Sequence, residues 1–419
     1  MSDKPSFAIF DFGLFCSLAE LLARRGCEVG YFCPWETSFC DGRELLIGEG
    51  LEGVTRIKYW DNVVDSYQHL LFPDCHCGDL QAYYRRKGYK VWGSGKGAEL
   101  ELLRWKTKER LEQAGLPVNE CYRLKGTAAL RKFFQGKEQK DGWYVKVSGL
   151  RGIGETWFAR NYLEAKGMID DLDCKHGIRA CLFWFIVEKA IPDAKEIGYD
   201  GLSIDGQFPD KSFYGAEIKD KSYFGVLSDY SELPEPLKKV NAVCAKVMNE
   251  QQYRNGFSSE LRDEYCIDLT ARHASPAGEV IYEAIDNLTE VITAGAEGRL
   301  VQPEWTHKYG AQIILCSEFA EEHSLPLSFP EEIRPWVKIY NHARVDDEGP
   351  IGLADYFEPQ VAKMKQIGSV IALADDPTEA ADLCKERAEL VHAFDLESSP
   401  DSLDEAMEEM QELVSGEPN

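Results

Sequence analysis

The stretch from Ser6 to Cys33 constrains the fold most tightly. Ser6–Phe10 (SFAIF) is a short apolar run of strand composition, and a helix bearing Leu18, Leu21 and Leu22 follows it, closed by Gly26. Glu28–Cys33 (EVGYFC) then reads as a second strand. Strands joined through a helix cross over and lie parallel, and a parallel sheet is covered on both faces. A strand near Leu70, a helix at Asp79–Lys87 and a strand at Lys90–Trp92 continue the pattern. Residues 1–95 therefore read as a small Rossmann-like layer, and the fold class is α/β, with α+β character further on. Asp11-Phe12-Gly13 is read as a strand-end turn, because no other protein-kinase motif accompanies it.

A different pattern governs Gly256–Glu283 (GFSSELRDEYCIDLTARHASPAGEVIYE). Two strand-like segments flank the polar turn Arg262-Asp263-Glu264, and the second alternates. Tyr265, Ile267 and Leu269 fall on one face, with Cys266, Asp268 and Thr270 on the other. Pairing would bring Glu260 beside Asp268. Two carboxylates and the Thr270 hydroxyl suit a hard cation such as Mg²⁺, and an acidic surface hairpin accounts for them equally well. Arg272 carries the charge to meet a phosphate or acyl phosphate.

Upstream, Trp143–Val147 is a strand with Lys146 in its middle, followed by Ser148, Gly149, Gly152 and Gly154. A lysine in an apolar strand needs an anionic partner. A glycine-rich loop beside it can offer backbone N–H groups to phosphate oxygens, although no Gly-Lys-Ser/Thr closes it as in a Walker A loop. Gly93 opens a turn, and Ala98–Ala114 reads as one charged helix with Arg104 and Lys108 on a shared face. Ala180–Ala190 reads as a continuous apolar strand ending in Glu188, with Glu196 just beyond; Lys219 and Lys221 add cations. Leu237, Val240, Val243, Cys244, Val247 and Met248 recur at helical spacing as core packing. From Asp395 onward there is no Lys or Arg, so residues 395–419 read as an acidic tail or frayed helix.

The totals exclude some classes. A net charge of −25 over 419 residues argues against binding a nucleic-acid duplex, which needs clustered Lys and Arg. No apolar run approaches the ~18 residues of a membrane helix, and no charged-then-apolar leader opens the chain. The 13 cysteines are scattered, which fits a reducing, cytoplasmic setting. Cys75-His76-Cys77 lacks a second ligand pair at zinc spacing and does not read as a zinc site.

Taken in order, the basic helix, the strand lysine with its glycine loop, the apolar strand ending in carboxylates, Glu260 and Asp268-Leu269-Thr270-Ala271-Arg272 resemble the ATP-grasp ligases. Within them the series is similar to the phosphoribosylamine–glycine ligases, over most of the chain. The resemblance implies an ATP-grasp fold: a Rossmann-like pre-ATP-grasp domain (1–95), a nucleotide domain (96–295, its lid at about 118–190), and a small C-terminal α/β domain (296–394). It implies ATP and Mg²⁺ (or Mn²⁺) as cofactors. Arg104, Lys146 and Lys219 stand on the phosphate side, and Ser148, Gly149, Gly152 and Gly154 in the lid. Glu188 stands at the adenine hinge and Glu196 on the ribose; Glu260, Asp268 and Thr270 would hold metal, and Arg272 with Lys146 would act in catalysis. The implied reaction joins a small carboxylate to an amine through an acyl phosphate and releases ADP. Phosphoribosylamine–glycine ligation itself, or a nucleotide-binding regulatory role without ligase activity, are the alternatives. Four features depart from the family. Asp268-Leu269-Thr270-Ala271-Arg272 stands where the family usually has Glu-Phe-Asn-Val-Arg, so the implied metal ligands are Asp and Thr in place of Glu and Asn. The family's N-terminal glycine run is reduced to Gly13, and its Asn-Thr-Gly-Gly-Met-Gly segment is missing after Lys221. Arg272 is followed by His273-Ala274-Ser275-Pro276-Ala277-Gly278-Glu279, which would place an imidazole where an acceptor approaches.

Overall fold

A computed structural model describes residues 4–34, 46–136, 141–148, 156–192, 196–345, 353–358 and 365–415. Ser6–Phe10 pairs in parallel with both Glu28–Phe32 and His69–Phe72, and Lys90–Gly93 extends the layer. Helices Cys16–Arg24 and Gly78–Arg86 make the crossovers. A single antiparallel pairing, Arg254 with Gly93, continues this layer into an antiparallel one, so a 14-stranded mixed sheet results. The antiparallel strands run in the order Arg254–Arg262, Glu196–Ile204, Lys211–Ile218, Ser222–Asp229, Tyr309–Ser317 and Gln366–Ala374.

A separate four-stranded sheet stands over this one. Its order is Cys121–Lys125, Trp184–Lys189, Trp143–Ser148, Thr156–Ala159. Helices Thr127–Gly136 and Tyr162–His176 cover its back, where Leu130, Phe134, Trp143, Val145, Ile169 and Phe185 form their own core. A third sheet brings Ala343–Val345, Leu353–Glu358, Leu325–Pro330 and His392–Ala393 together. Among the described residues no helix is long and apolar enough to cross a membrane.

Helix Glu235–Gln251 buries Leu237, Val240, Cys244, Val247 and Met248 against the large sheet, while Val243 sits half-buried at the edge. This is the stripe its spacing predicts.

Elsewhere the structure corrects the sequence reading. The single helix expected over Ala98–Ala114 is two: Glu99–Leu102 and Arg104–Gln113 meet at a non-helical Leu103. The Leu100 carbonyl accepts the Thr107 hydroxyl at 2.9 Å, and Arg104, Thr107 and Lys108 all turn inward. The run from Ala180 is a 3₁₀ turn as far as Leu182, and the strand begins at Trp184. The acidic C-terminus forms helix Ser402–Ser415, which buries Leu403, Ala406 and Met410. Its Ser402 hydroxyl bonds Ser222 at 2.8 Å, and Asp404 pairs with Lys385 at 2.6 Å.

Candidate active site

The site grows from the hairpin Arg254–Arg262 and Tyr265–Thr270. Glu260 pairs with Asp268, and Ser258 with Thr270, but the next pair is Leu261 with Cys266. Ile267 is therefore a bulged residue, and the bulge reverses the facing of everything before it. Cys266 consequently lies in the core with Leu261 and Leu269, not on the Asp268 face that simple alternation predicts. The bulge also turns out the Ile267 carbonyl, which accepts a hydrogen bond from Lys146.

Lys146 reaches down from the smaller sheet. Its Nζ lies 3.7 Å from Glu188 Oε2 and 3.8 Å from Asp268 Oδ2. Burial alone would lower its pKa, but these carboxylates outweigh that and raise it, so the ammonium stays charged. Glu188 is buried between two lysines, with Lys108 Nζ 3.2 Å away on its other side. Lys108 also donates to the Cys266 carbonyl at 2.6 Å. Arg104, at the start of its helix, spans both sheets: Nε is 3.7 Å from Asp268 Oδ1 and Nη1 donates to the Val147 carbonyl at 3.1 Å. Burial works against Asp268, yet Lys146 and Arg104 prevail and hold its carboxyl at about 2. Across the cleft, Arg272 Nε lies 3.4 Å from Glu101 Oε1 and 3.9 Å from Asp74 Oδ1, while Glu101 Oε2 accepts the Ala271 N–H at 2.8 Å.

One cavity joins these groups. It brings together Arg104, Glu196, Lys219, Glu260, Asp268, Thr270 and Arg272 of the residues picked from sequence. Lys146 and Glu188 lie beside it through the ion pairs above. Ser148 ends its strand opposite Trp184. Gly149, Gly152 and Gly154 lie outside the described residues. Glu196 opens its strand opposite Arg262 and pairs with it at 3.1 Å. Lys219 holds Glu217 at 3.7 Å from a largely exposed position, and that carboxylate raises its pKa.

Sequence reasoning passed over Asp200, Glu217, Tyr223 and Ser258, all of which face the same cavity. The missed signal was the alternation Glu196-x-Gly198-x-Asp200, which puts two carboxylates on one strand face. His273, by contrast, does not enter the site. It is 1 % exposed with its ring against Tyr282, and burial next to Arg272 pushes its pKa well below the usual histidine value. Asp74, Cys75 and His76 form the one compact group of three His, Cys, Asp or Glu side chains among the described residues. Asp74 there serves Arg272, and a guanidinium beside a would-be ligand opposes a cation.

The hairpin fits a divalent cation. Glu260 is pushed well above the usual carboxylate range, first by burial and then by Glu196, Asp268 and Glu217. Glu217 is raised to about 7, chiefly by burial. Glu260 and Asp268, with the Thr270 hydroxyl, are hard oxygen donors of the kind a divalent ion takes.

No protein-family model and no curated protein sequence matches the chain. Its structure, however, superposes on solved ones along nearly its whole length. Phosphoribosylamine–glycine ligase from Thermotoga maritima matches with a TM-score of 0.66 at 14% identity, covering 93% of this chain and 98% of that one. The chain has the ATP-grasp fold. The biotin carboxylase domain of Hydrogenobacter thermophilus 2-oxoglutarate carboxylase, solved with MgADP, ADP and bicarbonate, gives 0.62 at 13% identity, covering 100% of this chain and 96% of that one. L-amino acid ligase from Bacillus licheniformis gives 0.57 at 13%, covering 94% and 99%. In this ATP-grasp chain the four-stranded sheet and the large sheet face each other across Lys146, Arg104 and Asp268.

Proposed function

We propose that the protein is an ADP-forming ligase that couples a carboxylate to an amine at the expense of Mg·ATP. The observation that carries this reading is the in-register pair Glu260–Asp268 set directly under Lys146 and Arg104, with Arg272 across the same cavity. That arrangement separates a cation-binding floor from a phosphate-binding roof. Lys146 and Arg104 already neutralise Asp268, and swinging toward phosphate oxygens exchanges one anion for another, so little electrostatic energy is lost on binding. Lys219 adds a third cation to the cavity. Arg272, held in orientation by Glu101 and Asp74, points its remaining N–H groups at a transferring phosphoryl group or the substrate carboxylate. Glu260 and Asp268, with Thr270, would hold Mg²⁺, which neutralises phosphate charge when bound. The phosphoryl group passes to the carboxylate, ADP leaves, and the amine nitrogen displaces phosphate from the acyl carbon. No protein nucleophile is needed.

The fold likeness to phosphoribosylamine–glycine ligase supports the reaction class. The segments in which this chain departs from that family, from Lys221 onward and at His273–Glu279, favour a different carboxylate–amine pair. A screen of amino acids and amines for Mg·ATP-dependent ADP release tests the reading, with glycine plus freshly made phosphoribosylamine as one arm. Turnover that requires both an acid and an amine is the expected result. Glycinamide ribonucleotide as the efficient product would reassign the substrates. Absence of ADP release with every pair would leave a nucleotide-binding protein without ligase activity.

A further inference from the structure

Beyond the metal pair, the cavity floor is built in an unusual way. Gly198 pairs with Gly215, Gly215 with Gly225, and Gly225 with Gly310, so glycines stand in register across four adjacent strands. At Gly310 the gap is filled by Val280. At Gly215 and Gly225 it is filled by Tyr223, whose ring lies where a Cβ at either position would collide with it. At Gly198 the space is left open. A Cβ there would meet only Asp200 Oδ2 at 3.5 Å and the Gly215 carbonyl at 3.8 Å.

Two polar groups border this open floor. Asp200 is 5 % exposed, and its Oδ1 accepts the Ser258 hydroxyl at 2.7 Å. Tyr223 is 2 % exposed and faces the cavity; its hydroxyl sits beside the Asp200 carboxylate without a well-formed hydrogen bond. A buried phenol laid over two glycines and held only loosely to Asp200 points to a ligand that completes the bonding of both. Charge decides the ligand's sign. Of the cations that line the cavity among the described residues, Arg104 faces Asp268, Lys219 faces Glu217 and Arg272 faces Glu101. Asp200 has no cation of its own in any described ion pair.

We propose that Asp200 and Tyr223, over the Gly198 floor, form the subsite for a cationic group of the amine substrate, which is a diamine or longer polyamine carrying no anionic group. This rests on the ligase reading above. The nitrogen that attacks an acyl phosphate must be neutral, so the ammonium held at Asp200 is a second one. A phosphorylated amine would instead bring its dianion against Asp200, Glu217 and Glu260.

The test is calorimetric, on the full chain. Mg·AMPPNP is titrated first, then 1,4-diaminobutane or 2-aminoethyl phosphate into the nucleotide-loaded protein. The diamine should bind and the aminophosphate should not. Asp200→Asn and Tyr223→Phe should each weaken the diamine at least ten-fold, and Gly198→Val, which fills the floor, should abolish its binding. Should Asp200→Asn fail to fold by circular dichroism, the other two variants carry the test. Nucleotide binding without diamine binding, equal affinity in the variants, or preference for the aminophosphate would each overturn the subsite alone. Failure to bind Mg·AMPPNP would overturn the ligase reading and the subsite with it.

Discussion

Removing Lys146 separates its two jobs. Lys146 is 6 % exposed, with its ammonium placed between Glu188 and Asp268 at 3.7 and 3.8 Å. Stranding a buried charge ordinarily costs about 3–5 kcal/mol. Here neither carboxylate is stranded, because Lys108 remains 3.2 Å from Glu188 and Arg104 remains 3.7 Å from Asp268. Lys146→Ala should therefore lower stability by only about 1–2 kcal/mol, the scale of the lost bond to Ile267. Its effect on ATP should be larger, because a hydrogen bond to a charged phosphate is worth about 1.5–3 kcal/mol. At about 1.4 kcal/mol per decade this is roughly a ten- to hundred-fold rise in Kd. Titration calorimetry with Mg·ATP, beside urea unfolding of the same protein, measures both. Lys146→Met, which keeps the apolar stem, should lose affinity equally. Unchanged ATP affinity in either variant would remove Lys146 from the nucleotide site.

Three further outcomes follow from the geometry. Asp268→Ala and Glu260→Gln should each abolish Mg-dependent turnover with unchanged circular dichroism. Because burial and the neighbouring Glu196, Asp268 and Glu217 disfavour its charge, Glu260→Gln should also raise the melting temperature of the nucleotide-free protein. Burial lifts Asp11 from 3.8 to about 6, against hydrogen bonds from Tyr31 and the backbone. The folded state thus binds the extra proton between those values, so this residue's contribution to stability falls as pH rises from about 4 to 6, by about 3 kcal/mol in all. Urea midpoints of wild type and Asp11→Asn at pH 4.5 and 7.5 check it: the variant should gain relative to wild type at the higher pH. Met410→Ala should cost about 2–5 kcal/mol by thermal unfolding, as for a packed core residue; no loss would mean the C-terminal helix is peripheral.

The parallel N-terminal layer and the carboxylate hairpin were legible because their signals are local. An apolar run beside a helix, or an alternating run beside a polar turn, carries its pairing within a few residues. Features with no local signature were not. Ile267 is a good strand residue and nothing in its neighbours marks a bulge, yet the bulge sets the facing of Cys266 and frees the carbonyl that Lys146 uses. No Gly or Pro marks the break at Leu103, which instead accompanies burial of the Arg104, Thr107 and Lys108 side chains. The C-terminal helix carries its apolar stripe at Leu403, Ala406 and Met410, but the acidic residues between them outweigh it in composition. Asp200 shares a strand face with Glu196 by simple alternation, but Tyr223 lies over glycines that align only once the strands have paired. Such a floor is a property of register, which no single segment records.

Isotope transfer reports on the acyl phosphate itself. With the acid–amine pair found by the ADP-release screen, the carboxylate is labelled with ¹⁸O and the phosphate released during turnover is examined by mass spectrometry. Phosphorylation of the carboxylate leaves one of its oxygens on the departing phosphate, so each inorganic phosphate formed should carry one ¹⁸O, with ADP in equal amount. Unlabelled phosphate, or label appearing in AMP, would contradict an acyl phosphate formed in this cleft.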